Sequence, residues 1–493
     1  MFEPRSVIST AALEALVAAL SRVDGNVTDT ERIDQLGLLE KVKSACAAAQ
    51  ARISVDFAES QEEVAAAWNE RARAAADQND FEGWQAAREQ ARRATGETGE
   101  ADPGARMRHG RRSRRPGEAI GVAGQVALAR RESPSRGSRH LSTALALVRQ
   151  MPHTLAALES RVISEWRAEL VVRETAMLTG EQRTDVDTEL ATTLGDELGR
   201  LGGRELVRRV QAIAYRIDAA SVVARSRAAE AQRRVSIRPA PDTMAYVTAL
   251  LPVAQGVAVH AALTTAAGAA RAAGDDRTKG QVMADMFVQC LTGQAEAPLV
   301  PVEVQVVMTE RALLHGDDTP AHVPGYGAVP AAWARRLLAG HTDQPATAQV
   351  WLRRRYTHPA GGTLVAMDSS RRVFDGSLRR LLVARDGTCR TPWCDAPIAH
   401  LDHVTDHAHD GPTSAANGQG LCARCNHTKQ LTGWSARASG GPTGPGSDRA
   451  GPHTVVTRTP TGHSYRSTAP PVLPGTEGPD FTQLERLRRL LAA

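Results

Sequence analysis

Residues 385–429 read RDGTCRTPWCDAPIAHLDHVTDHAHDGPTSAANGQGLCARCNHTK, and the organisation of the C-terminal region turns on them. Two short cysteine pairs, Cys389/Cys394 and Cys422/Cys425, bracket a run (residues 400–410) that holds four histidines and three aspartates. Pairs at this spacing, carried on two knuckles, can converge to give Zn²⁺ four thiolates in a tetrahedron. Such closed sites hold a fold together, contributing about 10–16 kcal/mol in model peptides. The alternative is four reduced cysteines with no metal. If the thiolates fill the zinc, the histidines between the pairs are left for other work.

The rest of the chain is of a different kind. Its 493 residues suffice for several domains, and 42% are hydrophobic while only 4% are aromatic. An alanine-rich composition of this sort favours helices over a sandwich or barrel. The formal charge is +5 and the pI about 9.0, a mild basicity compatible with an anionic partner. Only Lys41, Lys43, Lys279 and Lys429 are lysines. The remaining basic residues are arginines, an excess that GC-rich coding explains and that also suits phosphate. The start, MFEPRSVIST, lacks a signal pattern. The most apolar region, residues 243–274, is broken by Pro252, Gln255, His260 and Arg271, and reads as soluble core rather than a membrane span. Six cysteines, four of them in one cluster, point to a reduced, cytoplasmic protein with one metal site and no membrane partner. Cys46 and Cys290 fall on apolar stripes and read as core.

Residues 1–95 read as N-terminal helices. Thr28 and Glu31 have capping-box spacing, and Ile33, Leu36, Leu39, Val42, Cys46, Ala49 and Ile53 recur at three- and four-residue steps. Residues 96–118 form a flexible basic linker or insertion, or else an arm that touches nucleic acid. Residues 119–350 read as a helical domain with a few strands. Its opening pair of helices, around Ser133-Pro134-Ser135, is either an ordinary hairpin or a helix-turn-helix. VPVEVQVVMT (300–309) is the first clear strand, and residues 350–369 read as a hairpin. The metal-bearing module follows at 351–437, then a Gly/Pro-rich segment at 438–475 with a small hairpin turning at Pro460-Thr461-Gly462, and a last helix at 476–493. The expected fold class is mainly α with small β elements.

The quoted stretch resembles the HNH nuclease motif in its zinc-stapled form. The resemblance lies in the cysteine pairs, the Asp402-His403 dyad, Gly411, Asn417 five residues before Cys422, and the Cys-x-x-Cys-Asn-x-x-Lys ending. It implies a ββα-metal fold and a metal-dependent endonuclease that hydrolyses DNA phosphodiester bonds. Asp402 matches the first ligand of the catalytic cation, His403 the general base, and Asn417 the asparagine that braces the loop and the base. Asn426 matches a second metal ligand, a place His427 is able to take instead. Cys389, Cys394, Cys422 and Cys425 match a structural zinc site. Histidine, with a pKa of about 6.5, suits the activation of water, and a carboxylate with an amide oxygen favours Mg²⁺ or Mn²⁺.

Two positions depart from the common pattern: Asp410 stands where a glycine is frequent, and Gly418 where an apolar residue usually follows the asparagine. For Asp402 and His403 to serve one phosphate, the strand must end or bulge there. Arg385, Arg390 and Lys429 are expected to touch DNA phosphates, with Lys429 equally readable as a solvated helix lysine. Arginines 353–355, 371, 372, 379 and 380 extend that basic approach. His400, His407 and His409 read as solvated loop residues, and Asp406 and Asp410 as turn formers. Residues 25–350 resemble an uncharacterised helical domain that commonly precedes HNH modules in actinobacterial proteins. The competing readings are a zinc-knuckle DNA-binding protein whose nuclease centre is inactive, and a helical interaction scaffold carrying the module as a passenger. No feature sets the oligomeric state.

Overall fold

Small side chains decide where the long N-terminal helix packs. In the computed structural model, which describes residues 9–22, 25–95, 120–293, most of 306–340, 374, 376–439 and 452–470, α1 (Thr10–Leu20) is followed by α2 (Asp29–Asp77). The capping box forms: the Thr28 N–H donates to Glu31 Oε2 at 2.8 Å and the Glu31 N–H to Thr28 Oγ1 at 3.3 Å. The buried seam, however, is not the expected one. Ile33, Leu36 and Ile53 are 68%, 60% and 59% exposed and Cys46 is exposed, whereas Ala47, Ala48, Ala51 and Val55 are buried. Alanines allow close approach, and Ala51 and Val55 meet Ala144 of α5 (Pro134–Gln150). The larger residues stand on the adjacent face.

The chain forms two compact units, residues 1–55 with 143–219, and residues 56–142 with 220–493. In the first, α6 (Pro152–Glu159), α7 (Glu165–Glu174), α8 (Gly180–Leu194) and α9 (Gly203–Ile217) surround a core that includes Met151, Leu158, Val171, Leu190, Leu206 and Val210. A buried carboxylate ties this bundle together. Asp187 of α8 accepts the His153 N–H at 2.7 Å, the Thr154 N–H at 2.9 Å and the Thr154 hydroxyl at 2.5 Å. These amides belong to the first turn of α6, where N–H groups lack helical partners and an anion is favoured.

The second unit contains α3 (Phe81–Thr95), α4 (Ile120–Ala129), most of α10 (Ala219–Glu230) and a run of small antiparallel sheets. Strands β1 (Arg234–Ala240) and β2 (Met244–Leu250) pair with Ile237 opposite Val247, turning through Asp242 and Thr243, both at φ 60°. This hairpin precedes the first strand expected from the sequence. Its alternation of Val235 and Ile237 with Arg234, Ser236 and Arg238 lies between alanine-rich segments that read as helix. Next come α11 (Val253–Ala272), α12 (Lys279–Thr292), β3 (Ala321–Val323), β4 (Gly327–Val329) and α13 (Ala331–Gly340). The expected core helix α11 buries only Ala267, and Cys290 on α12 is exposed rather than core. By length and composition, α11 is the one helix among the described residues able to span a membrane. Residues 96–118, most of 300–309, 350–369 and 476–493 lie outside the described residues.

The C-terminal elements are α14 (Gly376–Asp386), β5 (His400–His403), β6 (Gly418–Leu421), α15 (Ala423–Lys429), β7 (Ser435–Ser439), β8 (Thr454–Arg458) and β9 (Ser464–Thr468). The order β5, β6, α15 gives an antiparallel hairpin followed by a helix, with Asp402 opposite Gln419 and His403 opposite Gly418. β7, β8 and β9 form one three-stranded sheet, so residues 438–439, 454–458 and 464–468 of the segment expected at 438–475 are strand residues and the expected boundary at 437 falls inside β7. Helix α4, buried from Gly121 to Leu128, belongs with these elements: Gln125 Oε1 accepts the Thr461 N–H and hydroxyl at 3.2 and 2.7 Å. The whole is mainly α with small antiparallel sheets.

Asp187→Ala is predicted to destabilise the first unit by about 2–3 kcal/mol, because three hydrogen bonds to a buried carboxylate are lost. The neighbouring exposed Asp185→Ala should stay within about 0.5 kcal/mol. Urea denaturation of the two variants checks the difference.

Candidate functional site

The four cysteines converge. Their sulfur atoms all lie within 4.8 Å of one another, with Cys394 Sγ 3.7 Å from Cys422 Sγ and 3.6 Å from Cys425 Sγ. Sulfurs placed tetrahedrally at 2.3 Å from a zinc ion stand about 3.8 Å apart, so the cluster has the dimensions of a site for a metal such as zinc. Local backbone builds it. Cys422 is the N-cap of α15 and accepts the Cys425 N–H at 3.4 Å. The Cys389–Cys394 turn reverses with Trp393 and Asp395 at φ 60° and 48°, and the Cys389 N–H closes it on Ala396 O at 2.9 Å. Hydrogen bonding from Cys389, then from Cys394 and Cys425, pushes the Cys422 thiol well below its ordinary value. Cys389 itself is drawn down to about 7, chiefly by its hydrogen bond with Cys394. Metal binding to such a set is linked to release of the remaining thiol protons.

Behind the cluster lies an ionic node. Asp386, its side chain fully buried, accepts Arg385 Nε at 2.7 Å and Nη2 at 3.0 Å, together with the Gly420 N–H of β6 at 2.7 Å. Arg385 donates onward to Ala415 O at 2.5 Å and Gly418 O at 2.7 Å. Arg390 reaches the third sheet, donating to His453 O at 3.2 Å and Ser467 O at 2.7 Å. Both arginines are interior residues, 6% and 3% exposed. This corrects their reading as DNA contacts: their guanidinium groups engage Asp386 and main-chain carbonyls of β6 and β9. Lys429 is corrected in the same way. Its ammonium binds Asp402 Oδ2 at 2.9 Å, Asp406 Oδ1 at 2.5 Å and His403 O at 2.5 Å, and its side chain is 9% exposed.

Strand β5 ends at His403. The imidazole is buried, lies 4.4 Å from the Phe374 ring by centroids, and has Nε2 2.8 Å from Thr413 Oγ1. Burial lowers its pKa below the ordinary histidine value; His407 and Lys429 add to that shift, while Asp402 and Asp406 oppose it. A neutral imidazole is able to accept a proton at neutral pH.

Asn417 closes the following loop. Its Oδ1 accepts the Thr405 N–H at 2.8 Å, and its Nδ2 donates to Thr405 O and Pro412 O, each at 2.9 Å. Gly411 sits so close that a Cβ there would lie 1.9 Å from Thr405 O, and a Cβ at Gly418 would lie 2.6 Å from Leu382 Cδ1. The second contact explains why no apolar side chain follows Asn417. Asp402 Oδ2 also accepts Gln419 Nε2 at 3.3 Å. Asn426 Oδ1 is buried with no hydrogen-bond partner among the described residues, while its neighbour His427 is exposed.

Asp402, His403, Asp406, His407, His409 and Arg379 line one open cleft of about 540 Å³, which His400 also borders. The three histidines read as solvated bystanders therefore share a cleft with the dyad. Thr413, Phe374, Gln419 and Asp406 were not singled out as site residues. Of the four, Asp406 falls in the histidine- and aspartate-rich run at 400–410, and Thr413 lies two residues after Gly411. Arginines 353–355, 371 and 372 lie outside the described residues.

A family model described as Domain of unknown function (DUF222) matches residues 81–386, more than half of the chain. The chain belongs to the DUF222 family. No curated protein and no solved structure matches it. The DUF222 match ends at Asp386, the residue whose carboxylate holds Gly420 of β6. The last helix of the DUF222 domain, α14, is thus bonded into the cysteine-bearing module. The cysteines and the dyad lie beyond the matched residues, so the family assigns them no role.

Cys422→Ser, which removes one of the four converging thiols, is predicted to abolish metal uptake by the cluster and unfold the module around it, read as metal content per chain and as loss of a thermal transition. A second prediction concerns acid. His453 Nε2 donates to Ala416 O at 2.9 Å, while its buried Nδ1 has no partner among the described residues. Burial, followed by the nearby Arg385, depresses its pKa from 6.5 to about 4. The unfolded chain therefore takes up this proton first. His453 contributes stability that is complete above pH 6.5 and is lost as the pH falls through about 4. The loss is on the order of 3 kcal/mol. His453→Gln, which keeps a donor but does not titrate, should flatten the stability profile over that interval. A slope unchanged from wild type would contradict the assignment.

Proposed function

We propose that the module built from α14 to β9 is a metal-dependent endonuclease centre of the HNH type, acting on DNA phosphodiester bonds in the cytoplasm. The observation that carries this reading is the division of labour in one small fold. Four cysteines form a closed metal site, fit for structural zinc, while His403 and Asp402 open together on a separate cleft.

In this reading His403 takes a proton from the attacking water. Phe374 and Thr413 hold the ring, and Asn417 fixes the loop that carries Thr405. Asp402 and Asn426 would hold a divalent cation, Mg²⁺ or Mn²⁺, which supplies charge neutralisation at the phosphate and leaving oxygen. The donors suit a hard cation: Asn426 Oδ1 is a buried amide oxygen with no partner among the described residues, and Gln419 and Lys429 both engage Asp402 through Oδ2 rather than Oδ1.

A second reading is a zinc-knuckle DNA-binding protein with an inactive centre. One observation favours it, the ammonium of Lys429 already seated between Asp402 and Asp406.

Supercoiled plasmid with Mg²⁺ or Mn²⁺ separates the two. Wild type should nick it, and His403→Ala should do so about 10²–10⁴-fold more slowly, the usual range for loss of a general base. Equal nicking by both proteins would contradict the mechanism. DNA binding with no nicking by wild type would favour the second reading.

A further inference from the structure

We propose that Lys429 is the resident counter-ion of the candidate active site, and that its ammonium group holds down the affinity for a divalent cation until a substrate phosphate adds negative charge. This rests on the endonuclease reading above.

Lys429 lies one helical turn after Asn426 on α15, which carries its side chain back toward the end of β5. An ammonium has three N–H donors, and here each has an acceptor: Asp402 Oδ2, Asp406 Oδ1 and the main-chain oxygen of His403. With 9% of the side chain exposed, this is a cation built into the site rather than a flexible surface ion pair. It also joins the parts that must move least, the strand end bearing the dyad, the loop at Asp406 and the helix bearing Asn426.

Two consequences follow from charge. A divalent cation approaching Asp402 meets a carboxylate that is already half neutralised, with a positive charge a few ångströms away. Binding of the ion alone is therefore weak. A phosphate in the cleft restores the missing negative charge, so ion and substrate each favour binding of the other, as linkage requires. If Lys429 is replaced by a neutral residue, the two carboxylates lack their partner and draw in whatever cation is available. The variant should then hold the ion without substrate. A lysine acting only as a strut would give the opposite result, since its loss would disorder the ligands and weaken ion binding.

The test is Mn²⁺ affinity of the full-length protein without DNA, followed by electron paramagnetic resonance, with zinc content and thermal melting read on the same samples. Lys429→Gln should bind Mn²⁺ about tenfold more tightly than wild type, the size expected for removing one unit charge about 5 Å from a divalent ion under water-like screening. Lys429→Arg, which keeps the charge, should stay near wild type, and Asp402→Asn should abolish the site. Unchanged or weaker binding by Lys429→Gln, where wild-type binding depends on Asp402, would overturn the proposal and leave the endonuclease reading standing. Absence of Mn²⁺ binding in both wild type and Lys429→Gln would overturn both. Loss of zinc and of the melting transition in both Lys429→Gln and Lys429→Met would make Lys429 a strut of the fold, and would also overturn the proposal.

Discussion

Four sulfur atoms within 4.8 Å of one another bring the turn after α14 to the N-terminal end of α15, and the candidate site depends on that convergence. Strand β6 runs directly into Cys422, so fixing the cysteine fixes the strand that positions β5. Helix α15 begins at the same point and carries both Asn426 and Lys429. A helix of seven residues has little stability of its own, and a hairpin of two four-residue strands is marginal in water. A closed thiolate site supplies cohesion of the size that such short elements lack.

Two buried ionic nodes complete the frame. Asp386 gathers Arg385 and the β6 main chain, and Lys429 gathers Asp402, Asp406 and the end of β5. Burying charges costs desolvation energy that the pairing only partly returns, so such nodes are poor sources of net stability. What they do supply is register. Both oxygens of Asp386 and all three N–H groups of Lys429 are engaged, and a one-residue slip of β6 against β5 would leave buried charges unpaired. The DUF222 domain takes part directly, since its last matched residue is Asp386 itself.

Much of this was legible in the sequence where spacing alone carries the signal. The cysteine pairs, the capping box at Thr28 and Glu31, the turn before β9 and the mainly helical class all follow from fixed offsets and composition. Other features depend on which surface meets a neighbour, and periodicity does not reveal that. Arg385 and Arg390 sit in a basic run that looks like an outer surface, yet they turn inward because β6 and the third sheet present main-chain carbonyls. On α2, the alanine seam and the Ile33/Leu36 stripe have the same period, and packing chose the smaller residues. The histidines 400, 407 and 409 gained significance only once the loop curled back over His403.

The converged cysteines offer a metal such as zinc four sulfur ligands, which leaves every histidine of the 400–410 run outside that site. Zinc K-edge X-ray absorption on the full chain tests this most directly. A four-cysteine site gives one zinc per chain with four sulfur scatterers at about 2.3 Å. A spectrum with imidazole nitrogen in the first shell would contradict it.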